Sequence, residues 1–235
     1  MNLPNLSIKQ PETPKQIRPN FSWEQIDSVF LDMDGTLLDK YYDDYFWEQF
    51  VPEVYAAKNQ VDIVDARNLL LKTYRSVENT LQWTNLHYWS DRLNLDIVAL
   101  KREIKHLVKI HPHIIDFFQY MQRIGKKLYM ITNAHPKALE VKMEQVPIEN
   151  WFERLICSEE VGIAKEQPEF WHKLQHRLPY DKKRTLFVDD TEKVLHSARE
   201  FGMQQLIHIA KPSSRLPAIF SAHYQSIVNF RELIF

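Results

Sequence analysis

Two aspartates, Asp32 and Asp34, stand one residue apart in the stretch SVFLDMDGTLLD, residues 28–39, behind an apolar run. An unpaired charge at the tip of a buried strand costs several kcal/mol, so the pair needs a partner or a task. Other polar signals follow apolar runs further along: Thr132 and Asn133 at the end of KLYMITN, Lys165 after RLICS, and Asp189 with Asp190 at the end of TLFVDD. Gathered in one place, these aspartates cannot all stay ionised without a counter-charge. A hard divalent cation with oxygen ligands meets that need, and Mg²⁺ suits a site with few carboxylates plus a substrate phosphate. A carboxylate beside such an ion can attack phosphorus to form an aspartyl-phosphate. A second carboxyl can protonate the leaving oxygen, then take a proton from the hydrolytic water. Lys165 would balance phosphoryl oxygens. Thr132 and the backbone N–H groups of a helix starting near Pro136 would hold them.

For that chemistry the elements must bring these residues to one rim. SVFLDM, KLYMIT, RLICS and TLFVD read as buried strands, and QLIHIA as a fifth. Helical stripes separate the later ones: Ile114, Phe117, Phe118, Met121 and Ile124; Leu139, Met143 and Val146; Phe170, Leu174 and Leu178; Val194, Leu195, Ala198 and Phe201. Alternation of this kind predicts an α/β fold, a Rossmann-like parallel sheet with helices on both faces. Residues 40–110 break the pattern. Ile63, Ala66, Leu70, Tyr74, Val77 and Leu81 step by helical intervals after Asp62, as do Ile97, Leu100, Ile104 and Leu107 after Asp96. So long a connection is a structure of its own. The expectation is an all-helical cap domain, 40–110, inserted after the first strand into a core of 21–39 and 111–235. It leaves the sheet at the carboxyl edge, where open α/β sheets bind ligands. Residues 1–20 carry four prolines and read as an extended arm. Residues 211–235 read as loop, short edge strand and a turn of helix.

Each signal alone has a plainer explanation. Asp with Gly usually marks a turn. A calcium loop needs a third Asp or Asn before the Gly, a later Glu and flanking helices, whereas here a strand leads in. Thr132-Asn133 could be a strand-to-helix turn, Lys165 a surface lysine, and Asp189-Asp190 a helix cap. Chance does not easily set all four in order, each behind an apolar strand. His111 and His113 have no carboxylate cluster near them in sequence and read as surface or capping histidines.

The segments DMDGT, TN, the isolated Lys165 and VDDT resemble the four ordered motifs of the haloacid dehalogenase superfamily, over residues 28–210. The resemblance implies Asp32 as nucleophile and Asp34 as general acid/base. It also implies Mg²⁺ held by Asp32, the Asp34 backbone carbonyl and Asp190, with Asp189 beside it, and Thr132, Asn133 and Lys165 at the phosphate. Two departures stand out: Val194 where a further Asp is common, and Glu166-Gln167 between Lys165 and Pro168. The carbon-attacking branch needs no acid two residues after its nucleophile, so Asp34 favours phosphate esters. Longer stretches, DMDGTLLDKYYDDYFWEQFVPEVYAAKN, NTLQWTNLHYWSDRLNLD and ITNAHPKALEVKMEQ, resemble the bacterial purine nucleotidases of this superfamily, which hydrolyse GMP and IMP. Sugar-phosphate phosphatases and phosphomutases share the four motifs, and a binding protein of the same fold is a third class. Trp47, Trp83, Tyr88 and Trp89 could stack on a purine or fill the cap's core, with Trp47 and Tyr88 as the expected base contacts.

Composition bounds the rest. Lys plus Arg number 30 against 31 Asp plus Glu, giving no basic excess for a nucleic-acid polymer. No apolar run reaches the ~18 residues of a membrane span, and the first twenty residues have no apolar core for a secretory signal. Cys157, the single cysteine, reads as a small core residue and fits a reducing compartment. A cytoplasmic enzyme acting on a small phosphate ester, as monomer or homodimer, is the expectation.

Overall fold

The computed structural model describes residues 20–78 and 80–235. The expected arm, apart from Asn20, lies outside the described residues. The sheet has six strands in the order β3-β2-β1-β4-β5-β6. These are β1 Ser28–Leu31, β2 Lys127–Thr132, β3 Arg154–Cys157, β4 Thr185–Asp189, β5 Gln205–Ile209 and β6 Gln225–Ile227. Every neighbouring pair runs parallel.

Alternation along the strands splits the core in two. Val29, Leu31, Leu128, Met130, Leu186 and Val188 join one apolar cluster, while Phe30, Ile131 and Phe187 join the other. Both faces are therefore covered, as a parallel sheet requires. Full burial of such a side chain contributes about 1.5–3 kcal/mol. On the first face lies α7, which in chain order follows six helices of the insertion. These are α1 Tyr41–Tyr45, α2 Val51–Asn59, α3 Ile63–Arg75, α4 Leu81–Thr84, α5 Leu86–Leu93 and α6 Ile97–Glu103. Then come α7 Ile114–Arg123, α8 Pro136–Gln145, α9 Ser158–Val161, α10 Pro168–Arg177 and α11 Glu192–Phe201.

Between β1 and β2 the regular elements from Tyr41 to Leu107 are all helical among the described residues. Helix α1 passes through a π-helical stretch, Phe46–Phe50, straight into α2. Asp62 caps α3 by accepting from Val64 N at 2.7 Å, and Asp96 caps α6 by accepting from Ala99 N at 2.9 Å. The apolar stripe predicted to run on to Leu81 stops at Arg75. The chain turns at Ser76 and Val77 before α4 begins at Leu81. Trp47, Tyr74, Trp83 and Trp89 form one aromatic group, with ring centroids 5.1–6.2 Å apart.

The two crossings into the insertion lie side by side. Leu38 bridges antiparallel to Ile110. Asp39 N donates to Lys109 O at 2.8 Å, and His111 N to Leu37 O at 2.9 Å. Asp39 Oδ1 also accepts from Tyr41 N and Ser214 N, each at 3.0 Å. His111 Nε2 lies 3.1 Å from Pro212 O, a structural contact.

Candidate active site

Strand order changes direction at β1: β2 and β3 lie on one side, β4 to β6 on the other. The crevice at the carboxyl ends of these strands is the place where such sheets bind ligands. Leu31 is in register with both Met130 and Val188, so Asp32 comes level with Asp189 across the ladder. Asp32 N donates to Val188 O at 3.0 Å, which fixes that level. Asp32 is 6% exposed and Asp189 1%.

Between them lies Lys165, 2% exposed, brought over from the loop before α10. Its Nζ donates to Asp32 Oδ1 at 2.6 Å, Asp189 Oδ2 at 2.7 Å and Ile131 O at 3.0 Å, which uses all three protons. Burial works against its charge, but Asp189 and Asp32 outweigh that and hold its pKa above the ordinary lysine value. Burial raises the pKa of both carboxyls, more than Lys165 restores. Asn133 holds the Lys165 loop from both ends of its amide. Its Oδ1 accepts from Lys165 N at 3.0 Å and its Nδ2 donates to Glu166 Oε2 at 2.9 Å. Ser197 Oγ adds a hydrogen bond to Lys165 O. The insertion Glu166-Gln167 is thus accommodated, and Pro168 still opens α10.

Thr132, at the tip of β2, is 1% exposed. Its Oγ1 accepts from Ala134 N at 3.0 Å, which leaves its proton to donate. Helix α8 opens at Pro136, and His135 Nδ1 accepts from Lys137 N at 3.1 Å as its cap.

Asp190 follows β4. Its Oδ2 pairs with Lys40 Nζ at 3.3 Å and its Oδ1 accepts from Thr191 Oγ1 at 3.1 Å. Gly35 gives Asp190 its room. A Cβ there would stand 2.5 Å from Asp190 Oδ2, and the backbone already has φ +87°. Carboxylate oxygens of Asp32, Asp189 and Asp190 lie within 4.8 Å of one another. Oxygen donors this close, in so buried a setting, fit a hard divalent cation. Asp32 and Asp190 would hold it, with Asp189 positioned by Lys165 and by Thr191 N, which donates to Asp189 Oδ1 at 2.8 Å.

Asp34, a quarter exposed, pairs with Lys142 Nζ at 2.6 Å. Burial is the main cause that pushes its carboxyl up to about 7, against the pull of Lys142. The same ammonium pairs with Asp43 Oδ2 at 2.6 Å, and Lys101 Nζ donates to Asp43 Oδ1 at 2.9 Å. Burial alone would raise Asp43, but Lys101 and Lys142 together hold it well below the carboxylate range.

Asp32, Asp34, Thr132, Asn133, Lys165, Asp189 and Asp190 all line one cavity of about 240 Å³. From the insertion, Trp47, Trp83 and Thr84 complete its wall. Tyr88, expected as a base contact, is not among the lining residues; its ring packs on Trp89 at 5.0 Å. Helix α5 starts at Leu86, past the short α4, and it is α4 that presents Trp83 and Thr84. Lys40, Asp43 and Lys142 also line the cavity and escaped the sequence reading. Lys142 falls one residue outside the apolar stripe read for α8. The signal that could have found it is its position four residues after Ala138, since both side chains are buried.

Comparison with known proteins accords with this architecture. A family model described as haloacid dehalogenase-like hydrolase matches residues 26–202. The GMP/IMP nucleotidase YrfG of Escherichia coli K12 is 35% identical over 215 residues, 92% of this chain and 97% of that protein. The pyrimidine 5′-nucleotidase YjjG of the same organism is 28% identical over 141 residues, 58% of this chain and 60% of that one. In fold, a HAD phosphatase from Thermococcus onnurineus matches with a TM-score of 0.73 at 21% identity, covering 88% of this chain and 96% of the other. The chain belongs to the haloacid dehalogenase-like hydrolases.

Proposed function

We propose that this enzyme is a Mg²⁺-dependent phosphatase that hydrolyses purine nucleoside 5′-monophosphates through an aspartyl-phosphate on Asp32. One observation carries the reading: a single cavity is lined by Asp32, Asp34, Thr132, Lys165 and Asp190 at its floor and by Trp47 and Trp83 on the insertion side. Residues 40–110 act as the cap over that floor. A bound Mg²⁺ supplies positive charge that offsets the clustered carboxylates and the substrate phosphate.

A carboxylate oxygen of Asp32 forms a bond to phosphorus as the bond from phosphorus to the ester oxygen breaks. Asp34 gives its proton to the departing 5′-oxygen. With its carboxyl pushed up to about 7, the protonated form is populated at neutral pH. Asp34 then takes a proton from water as the water oxygen bonds to phosphorus, and the Asp32 acyl-phosphate bond breaks to release phosphate. Lys165 and the Thr132 hydroxyl face the developing charge on the phosphoryl oxygens. The faces of Trp47 and Trp83 offer the purine a stacking surface worth about 1–3 kcal/mol. Near-balanced charge and the single buried Cys157 are in keeping with a cytoplasmic enzyme. No helix among the described residues is long and apolar enough to cross a membrane.

Phosphate release from a panel of monoesters, with Mg²⁺ or with EDTA, tests this. GMP and IMP are expected to be cleaved only with the metal. No phosphate from any ester would overturn the hydrolase reading. Cleavage of sugar phosphates without GMP or IMP would overturn its nucleotidase part.

A further inference from the structure

We propose that Lys142 is a positioning residue that fixes the Asp34 carboxyl and ties it to Asp43 of the helical insertion. The inference deepens the hydrolase reading and rests on Asp34 being its acid/base. Lys142 stands on α8 of the core, 2% exposed, with its Nζ 2.6 Å from Asp34 Oδ1 and 2.6 Å from Asp43 Oδ2. Helix α8 gains nothing locally from an ammonium on its buried face, since burying a charge is costly and a buried ion pair adds little net stability. Such a pair is instead suited to fixing one geometry.

Both ends of this bridge are themselves held. Ala138 and Val141 bury the face of α8 from which Lys142 projects. On the other side, Asp43 is gripped by Lys101 Nζ at 2.9 Å, and that ammonium lies 4.2 Å from the Phe46 ring centroid. Tyr42 OH, donating to Lys101 O at 2.9 Å, anchors α1 to α6 behind it. The same two surfaces meet again outside: Arg102 and Lys105 of the insertion pair with Glu140 and Glu144 of α8 at 2.8–3.2 Å. The buried bridge is thus the inner end of a charged seam between insertion and core, and it ends on Asp34. Oδ2 of Asp34 has no hydrogen-bond partner among the described residues. Pinning Oδ1 leaves that oxygen to serve the substrate.

The test is a leaving-group series. The 5′-oxygen of a nucleotide leaves poorly without a proton, whereas 2,4-dinitrophenolate leaves readily without one. In K142Q, kcat/KM on GMP is expected to fall about 10–100-fold, the scale of a misplaced acid. On 2,4-dinitrophenyl phosphate kcat/KM, which reads only the steps up to phosphoryl transfer to Asp32, is expected to stay within about threefold, since no acid is needed there. D43N is expected to show the same pattern more weakly, and K142R to restore part of the GMP activity. In a D34N background, K142Q is expected to add nothing to the rate of the 2,4-dinitrophenolate burst, which reads phosphoryl transfer to Asp32 alone. Equal losses on both esters, or a further loss in the D34N background, would overturn the proposal. If K142Q does not fold, the D43N comparison decides it by the same criterion. A crystal structure of K142Q or D43N with Asp34 in an unchanged rotamer would overturn it whatever the activities. If wild-type protein cleaves no ester at all, the hydrolase reading fails on that result alone, and the rotamer still judges the bridge.

Discussion

Lys165 Nζ lies 2.6 Å from Asp32 Oδ1, and both groups are almost wholly buried. The proposed nucleophile is therefore held by an ammonium that it shares with Asp189 at 2.7 Å. Removing the ammonium strands two carboxylates. K165M is expected to lower metal-free stability by about 3–5 kcal/mol, read from urea unfolding. D32N is expected to lose all measurable turnover while its urea midpoint holds or rises, because it takes one charge from a crowded group. A D32N protein that turns over like its parent contradicts the nucleophile assignment.

The sign of the pH dependence follows from the buried acids. Asp34 is pushed up to about 7 by burial, and Asp32 and Asp189 are raised by the same cause. Below those values the folded protein keeps protons that the unfolded chain has already released above about pH 4. The contribution of Asp34 to metal-free stability therefore declines as pH rises from about 4 to 7, and those of Asp32 and Asp189 decline in the same sense as pH rises through their own raised pKa values. His111, His135 and His208, all lowered by burial, act in the opposite sense as pH falls through about 6.5. Comparing wild type with D34N cancels the histidines. The wild type is expected to lose stability relative to D34N as pH rises from about 4 to 7, and a flat difference over that range contradicts the assignment.

The proposed Mg²⁺ would compete with protons for the same oxygens. At 100 times its dissociation constant the ion is expected to add about 2.7 kcal/mol. For a chain of this size that is a rise in Tm of about 5–10 °C. The rise should shrink as pH falls, because burial has raised the Asp32 carboxyl and its proton competes with the ion, and be lost in D190N. An equal shift in D190N would remove Asp190 from the ligand set.

On the insertion side, W83A is expected to raise KM for GMP about tenfold with little change in kcat. That is the loss of one stacking face worth roughly 1–3 kcal/mol. Its KM for an ester with no ring, such as glycerol phosphate, should not move. Parallel losses on both substrates would mean that Trp83 serves only the aromatic core.

Substitution at Gly35 tests the crowding around Asp190. G35A forces a Cβ to within 2.5 Å of Asp190 Oδ2 at a φ of +87°. Stability is expected to fall by about 1–3 kcal/mol and the Mg²⁺-induced rise in Tm to shrink.

The strands and their parallel sheet were legible because each strand is a short apolar run and each helix a periodic stripe; their order across the sheet was not. Asp32, Thr132 and Asp190 were legible as polar residues at or just beyond strand ends, where a parallel sheet collects them, and Lys165 as a lysine following the third strand. The second layer was not. Lys142 and Lys101 sit inside amphipathic helices, where a lysine ordinarily reads as solvated; only the meeting of α6 with α8 turns both inward toward Asp43. Trp83 and Tyr88 are five residues apart, and which of them meets the cavity depends on the break between α4 and α5. No local pattern sets the orientation of a four-residue helix. Asn133, read as a phosphate contact, turned out to spend both ends of its amide on the Lys165 loop, a contact 32 residues away in sequence.

The paired crossings at Leu38–Ile110 and Asp39–Lys109 carry a last consequence. Chain enters and leaves the helical insertion through one narrow doorway, laced shut by main-chain hydrogen bonds that no side chain specifies. What stands beyond the doorway does not enter the register of the sheet. A differently shaped insertion can therefore be grafted at the same two thresholds while Asp32, Lys165 and Asp189 keep their places, provided that it brings a carboxylate to Lys142 as Asp43 does.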